Sequence, residues 1–123
     1  MWKSRYVTCE RKLASDKRRW KAEPVAYAKQ IAHYLLARRG WSDQFYALDG
    51  IIMVESHWHV WATNPSSGAC GIAQALPCSK MASMGADYRT SPLTELRWLI
   101  HYAVGRYGSI CAAYRYRMSH GYY

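Results

Sequence analysis

Glu55 closes an apolar helical pattern, and a loop rich in Gly, Ser, Asn and Pro follows it. The loop, residues 64–71, leads into a short apolar segment that carries one amide, Gln74. A carboxyl group at the edge of an apolar face, aimed at a polar loop, suits proton transfer at a glycosidic oxygen. Glu55 lies seven residues after Leu48 and three after Ile52, so all three share one helix face. Burial there would favour the neutral acid that such chemistry needs near neutral pH. A glutamate that only bonds backbone at a helix end would satisfy the same spacing. The loop glycines permit positive φ and a close backbone approach to a ligand. Gln74, an isolated amide among apolar neighbours, needs a partner. His57 and His59 form a His-x-His pair, but no third ligand stands at a suitable spacing, so no metal is expected.

The elements that must position these groups read as four helices with few strand-like runs. Pro24 suits the first turn of a helix reaching Arg39, with Gly40 as its stop. Tyr27, Ile31, Tyr34 and Leu35 form its stripe. Ser42 is the expected cap of a second helix that runs to about Ser56. Residues 77–90 read as a short helix and a loop. Ser91-Pro92, with Glu95 in the first turn, opens a third helix whose stripe is Leu96, Leu99, Ile100, Ala103 and Tyr107. Gly108 ends it. Ser109 caps a fourth helix over residues 111–119, which Gly121 ends.

A chain of 123 residues, half of them hydrophobic, supports one domain with a single modest core. Its net charge of +9 calls for an acidic partner: nucleic acid, an anionic membrane or an anionic cell wall. Residues 1–23 hold eight basic side chains against three acidic ones, an arm or helix that can tether to an anionic polymer. Aromatic residues are mostly Tyr and Trp, whose flat faces suit sugar rings and nucleobases alike. Four cysteines in a short chain hint at an oxidising destination. No Cys-x-x-Cys pair and no apolar run of about 18 residues occurs, which argues against a redox motif and a transmembrane helix. The N-terminus lacks the apolar core of a signal peptide.

Residues 55–82 resemble the catalytic heart of the SLT group, the lysozyme-like lytic transglycosylases that cut peptidoglycan. The likeness is greatest to versions from actinobacteria and their phages. There a Glu-Ser-x-Trp segment leads into Asn-Pro-Ser-Ser-Gly-Ala-x-Gly-Ile-x-Gln-Ala-Leu-Pro-x-Ser-Lys-Met-Ala. Here the same pattern reads Glu55-Ser56-His57-Trp58, then Asn64 to Gln74, then Ala75 to Ala82. Arg97-Trp98 and the Arg-Tyr-Gly-Ser run over residues 106–109 extend it, and about residues 41–123 are covered. The resemblance implies a mostly α fold: a small lysozyme-like domain over residues 24–123, with a substrate cleft between two lobes. It implies that Glu55 is the catalytic acid/base, that Ser66, Ser67 and Gln74 bond sugar, and that Trp58 packs or walls the cleft. A cleft tyrosine approaches the acid in such enzymes. Tyr114 is favoured for that place, with Tyr123 and Tyr107 as rivals. The cysteines depart from the family pattern. Cys70–Cys78 or Cys70–Cys111 can pair, with Cys9 left over, and four reduced thiols also fit.

The expected activity is lytic transglycosylation of the β-1,4 bond between MurNAc and GlcNAc, leaving 1,6-anhydroMurNAc ends. A retaining glycosidase with an enzyme nucleophile needs a second carboxylate about 5 Å from the first. Asp49 is one helix segment away, at roughly 9 Å along the axis. Asp87 and Glu95 stay open as partners at this point. The alternatives are a hydrolytic muramidase on the same fold and a non-catalytic wall-binding module. A nucleic-acid binder leaves residues 55–81 unexplained. The expected partners are peptidoglycan strands, with anionic wall polymers on the basic arm; a monomer without metal or organic cofactor is expected. Without a signal peptide, the enzyme would reach the wall on a phage particle, by release at lysis, or from a larger precursor.

Overall fold

The structure is a computed structural model, and it describes residues 23–122. It is mostly helical. Four α-helices are present among the described residues: α1 Pro24–Arg38, α2 Phe45–Glu55, α3 Pro92–Tyr107 and α4 Ile110–His120. Short 3-10 segments span Ser42–Gln44 and Cys78–Met84. No strand occurs there; extended pairing is limited to two isolated bridges, Thr63 to Cys70 and Cys70 to Ala75. None of the helices is long and apolar enough to cross a membrane. The basic arm, Cys9 and Tyr123 lie outside the described residues.

The capping chemistry of α3 and α4 follows the sequence. Ser91 Oγ accepts from the Thr94 N–H, and Pro92 follows at the first helical position, where its missing N–H costs nothing. Ser109 Oγ accepts from the Ala112 N–H at the start of α4. Gly108 and Gly121 end the two helices in the left-handed conformation. Pro24 opens α1 as expected. Ser42 does not cap α2. It opens the 3-10 turn instead, and Gln44 precedes the helix without a side-chain cap bond.

Helix α3 is the centre of the packing, with α1, α4 and the Cys78–Met84 segment against it; α4 also packs on α2. Leu48, Ile51 and Ile52 of α2 meet Leu96, Leu99 and Ile110 in one core. Just after α2 the chain turns through two left-handed residues, His57 at φ 53° and Trp58 at φ 69°. Each such residue costs about 1–2 kcal/mol. Trp58 is fully buried, which stabilises by several kcal/mol at about 25 cal/mol per Å². Its Nε1–H also donates to Asp49 Oδ1 at 2.8 Å. Burial outweighs the strain, so Trp58 is a packing residue that sets the corner after Glu55. His57 and His59 are exposed on that corner.

Candidate active site

Glu55 is the last residue of α2. A carboxylate there meets the negative end of the helix dipole and needs a compensating cation. Arg117 of α4 supplies it: its Nε–H donates to Glu55 Oε1 at 2.7 Å. Neither side chain is more than a fifth exposed.

The segment opposite is pinned at one residue from two sides. Ser56 Oγ donates to the Ile72 carbonyl at 2.7 Å. Glu95 Oε1, from the first turn of α3, accepts the Ile72 N–H at 2.7 Å. Gly71 beside it adopts φ 79°, and a Cβ there would meet Glu95 Oε1 at 2.6 Å. Only glycine suits both the backbone and the space. The Cys70–Cys78 disulfide closes the same segment, with Cα atoms 5.4 Å apart. Of the two pairings open from sequence, this is the one formed, and Cys111 carries a free thiol. Replacing Cys70 and Cys78 together by Ala should lower stability by about 2–3 kcal/mol, read as a shifted denaturant midpoint. An unchanged midpoint would show that Ser56 and Glu95 hold the segment unaided.

These restraints deliver Gln74. Its φ is 54°, and its Nε2 donates to the carbonyls of Ala62 and Gly71 at 3.1 and 3.0 Å. Both bonds use the amide nitrogen, so Oε1 is the acceptor it can offer. Gln74 and Glu55 line one cavity of about 570 Å³. Asn64, Lys80, Trp98, Tyr102, Arg106, Arg117 and Tyr122 share its wall. Trp98 stacks on Tyr102 with ring centroids 4.9 Å apart. Tyr122 meets the ring of Tyr116, which in turn stacks on His120. Flat faces of this kind suit pyranose rings.

Glu55 is the sole carboxylate among the described residues of that wall. Asp49, set aside on distance, and the two acids left open, Asp87 and Glu95, are all engaged elsewhere. Asp49 holds Trp58, and Asp87 accepts from Thr94 Oγ1 at 2.7 Å. Glu95 is fully buried, and burial pushes its pKa up to about 8 against the lowering effect of the Ile72 bond. Its second oxygen has no hydrogen-bond partner. It is a neutral acid at pH 7 that positions backbone.

Three expected sugar contacts fall elsewhere. The N–H groups of Ser66 and Ser67 donate to Asn64 Oδ1, and Ser67 Oγ accepts from the Ala69 N–H. Both serines are exposed and serve the turn, while Asn64 reaches the cavity wall. Tyr114 fills the space over Gly50, where a Cβ would collide with its ring, and lies edge-on to Tyr46. It is not part of the wall. Neither is Tyr107, whose hydroxyl is buried without a partner. Tyr102 and Tyr122 are the tyrosines that line it.

No protein-family model matches the chain, and no significantly similar curated protein or solved structure was found.

Proposed function

We propose that this chain is a peptidoglycan lytic transglycosylase, a lysozyme-like domain whose 570 Å³ cavity is the glycan cleft. The observation that carries this is Glu55 as the one carboxylate among the described residues on the wall of an aromatic-lined cavity that Gln74 also lines. Glu55 protonates the glycosidic oxygen between MurNAc and GlcNAc. The substrate's own N-acetyl group stabilises C1, so no enzyme nucleophile is needed. Glu55 then takes the proton of the MurNAc 6-hydroxyl, which closes onto C1 and leaves a 1,6-anhydro end.

One observation favours a second reading. Arg117 pairs with Glu55 on the cavity wall, a contact that a wall-binding module could keep permanently. Incubation with purified, insoluble peptidoglycan separates the two. An enzyme releases soluble glycan fragments. A binding module sediments with the wall and releases none, and that outcome would overturn the proposal.

A further inference from the structure

A second cavity, of about 300 Å³, lies where the end of α1 meets α3, and it shares no lining residue with the glycan cavity. Leu35, Met84 and Ile100 are its apolar residues. The others are Arg38, Arg39, Arg97 and His101, and no acid stands among them. Arg38 and Arg39 lie over the rings of Tyr34 and Trp41, at 5.7 and 5.2 Å from the ring centroids. A guanidinium held on a ring has less freedom to lose when it binds. The Arg39 contact uses the flat face and leaves the N–H edge for an acceptor. Arg97 and His101 stand one turn apart on α3 and make no hydrogen bond or ion pair among the described residues. Arg39 and Arg97, gathered on one cavity without an acid, repel each other, and a bound anion relieves that repulsion.

The geometry points to this cavity as a binding site for the phosphates of an anionic, phosphodiester-linked polymer of the cell wall. Guanidinium groups from α1 and α3 suit a tetrahedral phosphate, whose oxygens accept from several directions. A planar carboxylate is satisfied by one fork. The cavity offers no aromatic ring on which a nucleobase could stack, since Tyr34 and Trp41 lie under guanidinium groups and do not line it. Phosphate is therefore read without a base. Helix α3 divides the two cavities. Arg97, Ile100 and His101 line this one, while Trp98, Tyr102 and Arg106 line the glycan cavity, about 100° round the same helix. A polymer held on one face lies beside a glycan strand held on the other, so the site keeps the enzyme on the wall while the glycan cavity works. The choice of a wall polymer rests on the transglycosylase reading; the anion site itself rests on the cavity.

The probe is labelled poly(glycerol phosphate), with single-stranded DNA of matched phosphate number beside it, and the full chain is used throughout. Arg39→Gln combined with Arg97→Gln should weaken binding of poly(glycerol phosphate) by about 10- to 100-fold, as two charge-assisted contacts are lost. This variant should keep the wild-type thermal midpoint, because both side chains are exposed. A charge-matched control, Arg89→Gln combined with Arg115→Gln, removes two exposed cations outside both cavities and should cost about 3-fold or less. An equal loss in the control would reduce the effect to diffuse charge and overturn the site. DNA bound as tightly through the same two arginines would overturn the choice of polymer. On peptidoglycan stripped of phosphodiester polymers, the Arg39/Arg97 variant should release glycan at the wild-type rate. On intact, polymer-bearing wall at limiting protein it should be about 10-fold slower, as the tether is lost. Equal rates on both walls would also overturn the inference. Wild-type protein that cuts stripped peptidoglycan but binds no polymer keeps the transglycosylase reading and loses this site. Wild-type protein that cuts neither wall loses that reading, and the wall polymer falls with it.

Discussion

Glu55→Gln is expected to lower release of soluble glycan from peptidoglycan by about 10²- to 10⁴-fold, the range a positioned general acid contributes. The amide can neither protonate a leaving oxygen nor accept the 6-hydroxyl proton. No other carboxylate among the described residues of the cavity wall can take over. The fold should survive. The Gln oxygen still accepts from Arg117, and the residue ends a helix rather than filling the core. Arg117 loses its counter-ion but keeps an acceptor, so a stability loss of about 1–3 kcal/mol follows. Activity and thermal midpoint are therefore measured on the same preparation. Retained cleavage by a folded Glu55→Gln protein would remove Glu55 from the chemistry.

The second large effect lies in stability against pH, at Glu95. Its folded-state pKa is near 8, against an ordinary value of 4.5. Between those values the folded protein keeps a proton that the unfolded chain has lost. Raising the pH then favours the unfolded state. The stabilisation is complete below pH 4.5 and gone above about 8. Within that window the slope from this group approaches about 1.4 kcal/mol per pH unit. Glu95→Gln keeps an oxygen to accept the Ile72 N–H and has no proton to lose. Denaturant titrations from pH 5 to pH 8 should show wild-type stability falling steeply relative to the variant. Parallel curves would mean that Glu95 is not held as a buried neutral acid. A loss of cleavage alongside stability in wild type at high pH would further tie the Ile72 pin to Gln74.

How far the molecule was legible from its sequence differs from residue to residue. Helix starts at Pro24, Ser91 and Ser109 were legible because caps and first-turn prolines act locally. The shared face of Leu48, Ile52 and Glu55 was legible from helical period, and it places Glu55 where the core meets the cavity. Gln74 was found as an isolated amide and does line the cavity. Ser42 misled because a turn of 3-10 helix separates it from α2, and period alone does not mark that change. Ser66 and Ser67 lie on an exposed turn off the cavity wall, where their N–H groups donate to Asn64 Oδ1, and spacing alone does not show that Asn64 is the residue that reaches the wall.

Arg117 goes unread in the sequence, and Glu95 enters it only as a first-turn acid and an open second acid, for a different reason. Each partners a residue far along the chain, at separations of 62 and 23, and only the packing of α4 and α3 decides those meetings. Signals did exist. Arg117 follows Ile110 by seven and Ala113 by four, so it shares the buried stripe of α4. Glu95 precedes Leu99 by four on the buried side of α3. A charged residue on an apolar stripe asks for a partner, and here both partners belong to the candidate site.

The most direct test of the central claim is the mass of the cut ends. Peptidoglycan is digested with wild-type protein and the soluble fragments are analysed without chemical reduction. One-acid transglycosylation with the 6-hydroxyl as acceptor predicts ends lighter by one water than a hydrolysed glycan, the anhydroMurNAc species. Fully hydrated, reducible MurNAc ends would contradict it and make the protein a muramidase, with water in the place of the 6-hydroxyl.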